Sequence, residues 1–183
     1  MSRQDRFDRK DFERAASSRA SGLGEVAAAS GHQASEKPIW PILGLKRDDV
    51  GDTVMEERRG RPHRGIDIHA PAGTSVVAAR SGTVVRVVDG RRSKRTQLAR
   101  AGLFVDVLGY DGLIYRYLHL GEAYMAPGTS ILQGQMLGTV AASRRRAHLH
   151  FEIRRADYTA KRGDYGAPIN PLRVLPRLDP AAA

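Results

Sequence analysis

Residues 148–154 read His148-Leu149-His150-Phe151-Glu152-Ile153-Arg154, and their alternation sets the fold class. Leu149, Phe151 and Ile153 take every second place, with His148, His150, Glu152 and Arg154 between them. A period of two belongs to a half-buried β-strand, whose successive side chains leave opposite faces. The apolar set points to a core. The polar set puts two imidazoles side by side on the other face. Working outward, Gly82 to Val88 carries Val84, Val85, Val87 and Val88, which favour extended backbone. Ser75 to Ala79, Leu103 to Leu108, Leu113 to Leu120, Gln135 to Val140 and Ala147 to Arg154 read as further strands. Asp111-Gly112 between two of them predicts a hairpin, and glycines at 109, 112, 121, 128, 134 and 138 punctuate the rest. The expectation is a mainly β chain, an antiparallel sheet or sandwich with little helix and no internal repeat.

The sequence divides unevenly. Residues 38–178 are expected to form one domain, opened by the anchoring cluster Pro38-Ile39-Trp40-Pro41-Ile42-Leu43. Residues 1–37 are polar and rich in Arg, Asp, Ser and Ala, and read as a flexible or partly helical arm without a core of its own. Gln4 to Ala20 could form a short charged helix. Residues 179–183 are a tail. The start holds no apolar run of signal-peptide type, and no stretch reaches transmembrane length. These features predict delivery without a secretory signal, or a leader removed before this sequence begins, with the arm docking on a delivery machine or carrier.

Among 183 residues there is no cysteine, which excludes disulfides and thiolate metal sites and leaves any metal to His and carboxylate. Thirty Lys and Arg against 20 Asp and Glu give a formal charge of +10, so a polyanionic partner is expected. Nucleic acid, anionic lipid and bacterial cell wall all meet that description. Nucleic acid is disfavoured, because interleaved aromatics and any helix or RNA-binding signature are missing. Two basic runs stand out: Arg91, Arg92, Lys94 and Arg95 in one loop, and Arg144, Arg145 and Arg146 just before His148. The first reads as solvated loop charge and the second as a candidate substrate contact.

The chemistry lies in His63 and Asp67 of PHRGID, His119 of YLHL, and His148 and His150 of HLH. Two imidazoles and a carboxylate form the N/O ligand set of a catalytic zinc, which keeps a fourth position open. Two further histidines would remain for acid–base work. Alone, His-x-His could be an exposed strand pair, and His63 with Asp67 is no more specific. Their joint occurrence makes the case.

The stretches GRPHRGIDIHAPAGTSVVAARSGTVVRV, YRYLHLGEA, PGTSILQGQMLGTV and HLHFEIR, in that order, resemble the M23 family of zinc metallopeptidases, the LytM or lysostaphin-like endopeptidases. The resemblance runs from about Arg61 to Pro171. It implies a LytM/lysostaphin-like β core, one Zn2+ per chain held by His63, Asp67 and His150, and His119 and His148 as the two catalytic histidines that do not bind metal. It also implies a zinc endopeptidase acting on cross-links or stem peptides of bacterial peptidoglycan, at the cell wall or in the periplasm. A phage lysis or virion enzyme and an injected effector both fit. The alternative is a non-catalytic zinc-binding module that binds the wall or regulates another hydrolase.

The sequence departs from the family pattern in two places, the first of which bears on substrate preference. AASRRRAHLH stands where a small, flexible loop is usual, and GRRSKRTQLARAG replaces a shorter turn. Tyr117, with Tyr115, alternates with His119; Tyr117 is a candidate substrate contact, although packing is the commoner use of such residues. His69 shares Asp67's face on a continuous strand and reads as peripheral. His32 lies in the arm. Glu152 and Arg154 read as a pair of neighbours on the His150 face.

Overall fold

A computed structural model describes residues 36–51, 57–58, 61–144, 146–157 and 164–178. Residues 1–35, which hold nearly all of the expected arm, lie outside the described residues, as do Arg145 and the tail 179–183. The strands, in chain order, are β1 Glu57–Arg58, β2 Arg61–Pro62, β3 Ile66–His69, β4 Ser75–Val77, β5 Gly82–Asp89, β6 Leu103–Gly109, β7 Leu113–Ala123, β8 Ser130–Ile131, β9 Met136–Val140, β10 His148–Arg155 and β11 Pro168–Ile169. One short helix, α1 Thr96–Ala101, joins β5 to β6, and two 3-10 turns complete the described elements. The mainly β, antiparallel expectation holds. Among the described residues no helix is long and apolar enough to cross a membrane.

Nine strands form one sheet along the path β11-β10-β7-β6-β5-β8, with β3 on β10, β9 on β7 and β4 on β9. Every pairing among these strands is antiparallel. The β6–β7 hairpin closes as the Asp111-Gly112 signal predicts. Gly112 takes φ +82°, a left-handed conformation open to glycine, and Asp111 Oδ1 accepts from the Leu113 N–H at 3.1 Å. One face of the sheet carries the core. Ile66, Ile68, Val105, Val107, Tyr115, Tyr117, Leu149, Phe151 and Ile153 are each fully buried there. Trp40 and Ile42 close over it, and Trp40 Nε1 donates to the Pro176 carbonyl at 2.9 Å, tying the two ends of the described chain together.

The sheet forks within β7. Strand β10 pairs with β7 as far as His150 opposite Leu118, and β9 takes over from Leu120 opposite Val140. His119 lies between these two registers. It is the one non-glycine residue with positive φ among those described, at +63°. Its carbonyl accepts from the Ala141 N–H at 2.9 Å. The fork opens the notch into which the polar face of β10 points.

Candidate functional site

Strand register brings the first two groups together. Asp67 on β3 lies directly opposite His150 on β10, and His69 opposite His148. Facing residues on adjacent antiparallel strands hold their Cβ atoms about 5 Å apart, so side chains that share a face must meet. His63 precedes β3 and comes back onto the same spot. His63 Nε2 lies 2.9 Å from His150 Nδ1 and 3.2 Å from Asp67 Oδ1, and His150 Nδ1 lies 2.8 Å from Asp67 Oδ1. These are the only three residues among those described whose donor atoms cluster tightly enough to hold a metal ion.

The donor set fits a first-row divalent cation. Bonds of about 2.0–2.2 Å at tetrahedral angles place ligand atoms roughly 3.3 Å apart, close to the separations found. His63 and Asp67 are buried and His150 nearly so, so without a cation these groups must satisfy one another. Burial would raise the Asp67 carboxyl, but hydrogen bonds from His150 and His63 hold it well below the usual carboxylate range. For His150, burial alone would lower the pKa. Hydrogen bonds to Asp67 and Glu152 outweigh it and hold the ring up at about 9.

His148 and His119 stand beside the trio without joining it. The His148 ring lies 5.0 Å from that of His119, edge to face, and His119 lies 5.9 Å from His150. Each of the two is held by a main-chain carbonyl. His148 Nδ1 donates to Arg146 O at 2.9 Å, which leaves Nε2 as the free acceptor, 3.9 Å from Asp67 Oδ2. The His119 ring meets the Ala101 carbonyl, at the end of α1. Burial, followed by the neighbouring His150 and His148, pushes the His119 pKa down to about 4. His119 is therefore neutral at physiological pH. The basic insertion thus reaches the site through its backbone, which nothing in its side chains announces.

Other expected contacts fall elsewhere. Tyr117 is a correction: it pairs with Phe151 on the core face, is fully buried, and its hydroxyl accepts from the Ala79 N–H at 2.8 Å. Residue 119 escapes the alternation that takes Tyr115 and Tyr117 into the core because the backbone turns there. Arg144 and Arg146 are exposed beside His148, and Arg145 lies outside the described residues. His69 is peripheral, its ring 6.1 Å from that of His148. Glu152 and Arg154 do pair, at 2.8 Å, but Glu152 also meets His150 Nε2 at 3.1 Å. That second contact is missing from the sequence reading, although the i+2 spacing on a strand was its signal.

The profile described as Peptidase family M23 matches residues 61–171. The cell division protein DipM of Caulobacter vibrioides is 32% identical over 143 residues, covering 77% of this chain and 21% of that protein. The peptidoglycan DD-endopeptidase ShyC of Vibrio cholerae is 34% identical over 95 residues, 51% of this chain and 20% of its own. Among solved structures, the catalytic domain of the antimicrobial peptidase lysostaphin from Staphylococcus simulans superposes with a TM-score of 0.55 at 21% identity. It covers 68% of this chain and 89% of that one. This chain spans between 20% and 59% of the length of the curated relatives it matches.

Proposed function

This chain belongs to peptidase family M23, and from that premise we propose that it is a zinc-dependent endopeptidase cutting the peptides of bacterial peptidoglycan. The observation that carries the reading is the convergence of His63 Nε2, Asp67 Oδ1 and His150 Nδ1 with the His119 and His148 rings beside them. His63, Asp67 and His150 hold the metal. Zinc, when bound there, acidifies a water and polarises the scissile carbonyl.

The other steps belong to the chain itself. With its Nδ1 hydrogen on the Arg146 carbonyl, His148 has its Nε2 lone pair free to take a proton from the attacking water. The same nitrogen can then return that proton to the leaving amine. His119, neutral with its single N–H on the Ala101 carbonyl, presents its other ring nitrogen as an acceptor, which orients the attacking water through that water's hydrogen. Arg144 and Arg146 stand exposed at the rim, where cations suit a substrate carrying carboxylates. The names of ShyA and ShyC, both peptidoglycan DD-endopeptidases of Vibrio cholerae, support the substrate class. The site of action in this reading is the cell wall, reached by a carrier or delivery machine that engages the arm of residues 1–37.

The test is mass spectrometry of purified peptidoglycan digested with zinc and with a chelator. New amino termini that disappear with the chelator and in His148→Ala are the expected result, and they identify the bond. Zinc retained without any cleavage would replace the enzyme by a wall-binding or regulatory module.

A further inference from the structure

We propose that Glu152 is a positioning residue that dictates which nitrogen of His150 faces the metal, an inference that rests on the zinc reading above. An imidazole can ligate through either nitrogen, and the partner of the other nitrogen decides which. Here Nδ1 faces Asp67 and His63 at 2.8 and 2.9 Å, while Nε2 faces Glu152 Oε1 at 3.1 Å. A carboxylate accepts hydrogen bonds and does not donate them. Both nitrogens therefore carry a hydrogen here, and when a cation displaces the one on Nδ1, Glu152 keeps the other on Nε2 and leaves the Nδ1 lone pair turned toward the ligand cluster. Without Glu152 the opposite tautomer, with Nδ1–H donating to Asp67, would spend both of those groups on each other.

Glu152 is itself held in place by buried charge. Its second oxygen accepts from Arg154 Nη1 at 2.8 Å and lies 3.6 Å from Arg116 Nη1. Arg116 is gripped by both oxygens of Asp106 at 2.7 and 3.0 Å and by Asp164 Oδ1 at 2.8 Å. Arg154 Nη2 donates to the carbonyls of Tyr165 and Gly166 at 2.8 and 2.9 Å. Glu152, Arg154, Arg116 and Asp106 are 5%, 4%, 6% and 0% exposed. A buried network with every group satisfied has few other arrangements open to it. Flanked by two guanidiniums, Glu152 can offer His150 only an acceptor, in one position. The arrangement extends the site from three ligands to a rigid frame of β6, β7, β10 and the segment at Asp164.

The decisive experiment compares the full chain with Glu152→Gln, whose side chain fits the same space but can turn either an N–H or an oxygen toward Nε2. Competition with a chromophoric chelator should show zinc affinity lower by about 10–100-fold. Long-range 1H–15N spectra should find the His150 proton on Nε2 and zinc on Nδ1 in the unsubstituted protein, and a mixture in the variant. A purely structural role would lower the unfolding temperature and leave both readouts unchanged. Affinity unchanged within about twofold in a folded variant overturns the inference alone. If the variant does not fold, the spectrum of the unsubstituted protein decides, and zinc on Nε2 refutes the proposal. Failure of the unsubstituted protein to bind zinc overturns the functional reading and this inference together.

Discussion

His119 is the residue at which the proposed chemistry and backbone strain coincide. Its φ of +63° is costly for any residue with a Cβ, on the order of 1–3 kcal/mol. The cost is sustained by the Ala141 N–H on its carbonyl, the Ala101 carbonyl on its ring and the fork of the sheet around it. Asn tolerates this region and a β-branched residue does not. His119→Asn and His119→Val should therefore both lose turnover by about 100-fold or more while keeping their zinc. They should differ in urea unfolding, with the Val variant less stable by about 1–3 kcal/mol. Equal stability in the two would mean that the conformation carries no strain. The five residues that converge here were all singled out in the sequence, because metal and proton chemistry admit few side chains. The left-handed turn at His119 was not, since nothing around it, in YRYLHLGEA, marks a kink ahead of Gly121. That turn is also what separates His119 from the buried Tyr117.

At the scale of elements, the convergence of His63, Asp67 and His150 is a consequence of strand register. A slip of one residue between β3 and β10 would send Asp67 into the core and Ile68 into the site. Gly65 protects that register: a Cβ there would collide with the Phe151 carbonyl oxygen, a main-chain atom of β10 that cannot move aside. Gly65→Ala should destabilise the chain by about 1–3 kcal/mol. It should also weaken zinc binding, whereas Gly128→Ala, where the added carbon meets nothing, should spare the zinc. Equal zinc affinity in the two variants would show that the β3–β10 contact does not set the site. The long strands were readable, since Gly82–Asp89, Leu103–Gly109, Leu113–Ala123 and His148–Arg155 all follow the expected runs closely. The short ones were not. Ser130–Ile131 and Pro168–Ile169 exist because a neighbouring edge is there to pair with, and two residues carry no period. Helix α1 was missed in GRRSKRTQLARAG for a related reason. It has six residues, none of them buried, and its N-cap Arg95 makes no capping bond from its side chain. The polar face of β10 was legible as polar but not as buried. Its cover comes from Asp106, Arg116 and the segment 164–166, which no local pattern connects to it.

For the molecule as a whole, the charge of +10 should make retention on peptidoglycan fall as salt rises, because exposed charges are screened within about 10 Å at 0.1 M. Binding insensitive to salt would assign the contact to the cleft alone. The titrating groups of the site make a sharper prediction about stability. In the metal-free chain His119 is depressed to about 4 from 6.5, so the unfolded chain takes up that proton first. Stability must then fall as pH drops from 6.5 toward 4, by on the order of 3 kcal/mol if the whole shift is realised. Asp67, Glu152 and Asp164, all held below their ordinary values, act in the same direction. Their contribution is complete above the normal carboxylate range and is lost as pH falls through their lowered values. His150 acts oppositely: raised from 6.5 to about 9, it contributes fully below 6.5 and loses that contribution as pH rises toward 9. Urea unfolding of the metal-free chain should thus show greatest stability near neutrality and decline on both sides. Zinc should remove only the alkaline decline, because a bound cation takes the place of the His150 proton, and below pH 5 protons compete the cation off its ligands. An alkaline decline that persists with zinc bound would mean that His150 is not where the cation and the proton compete.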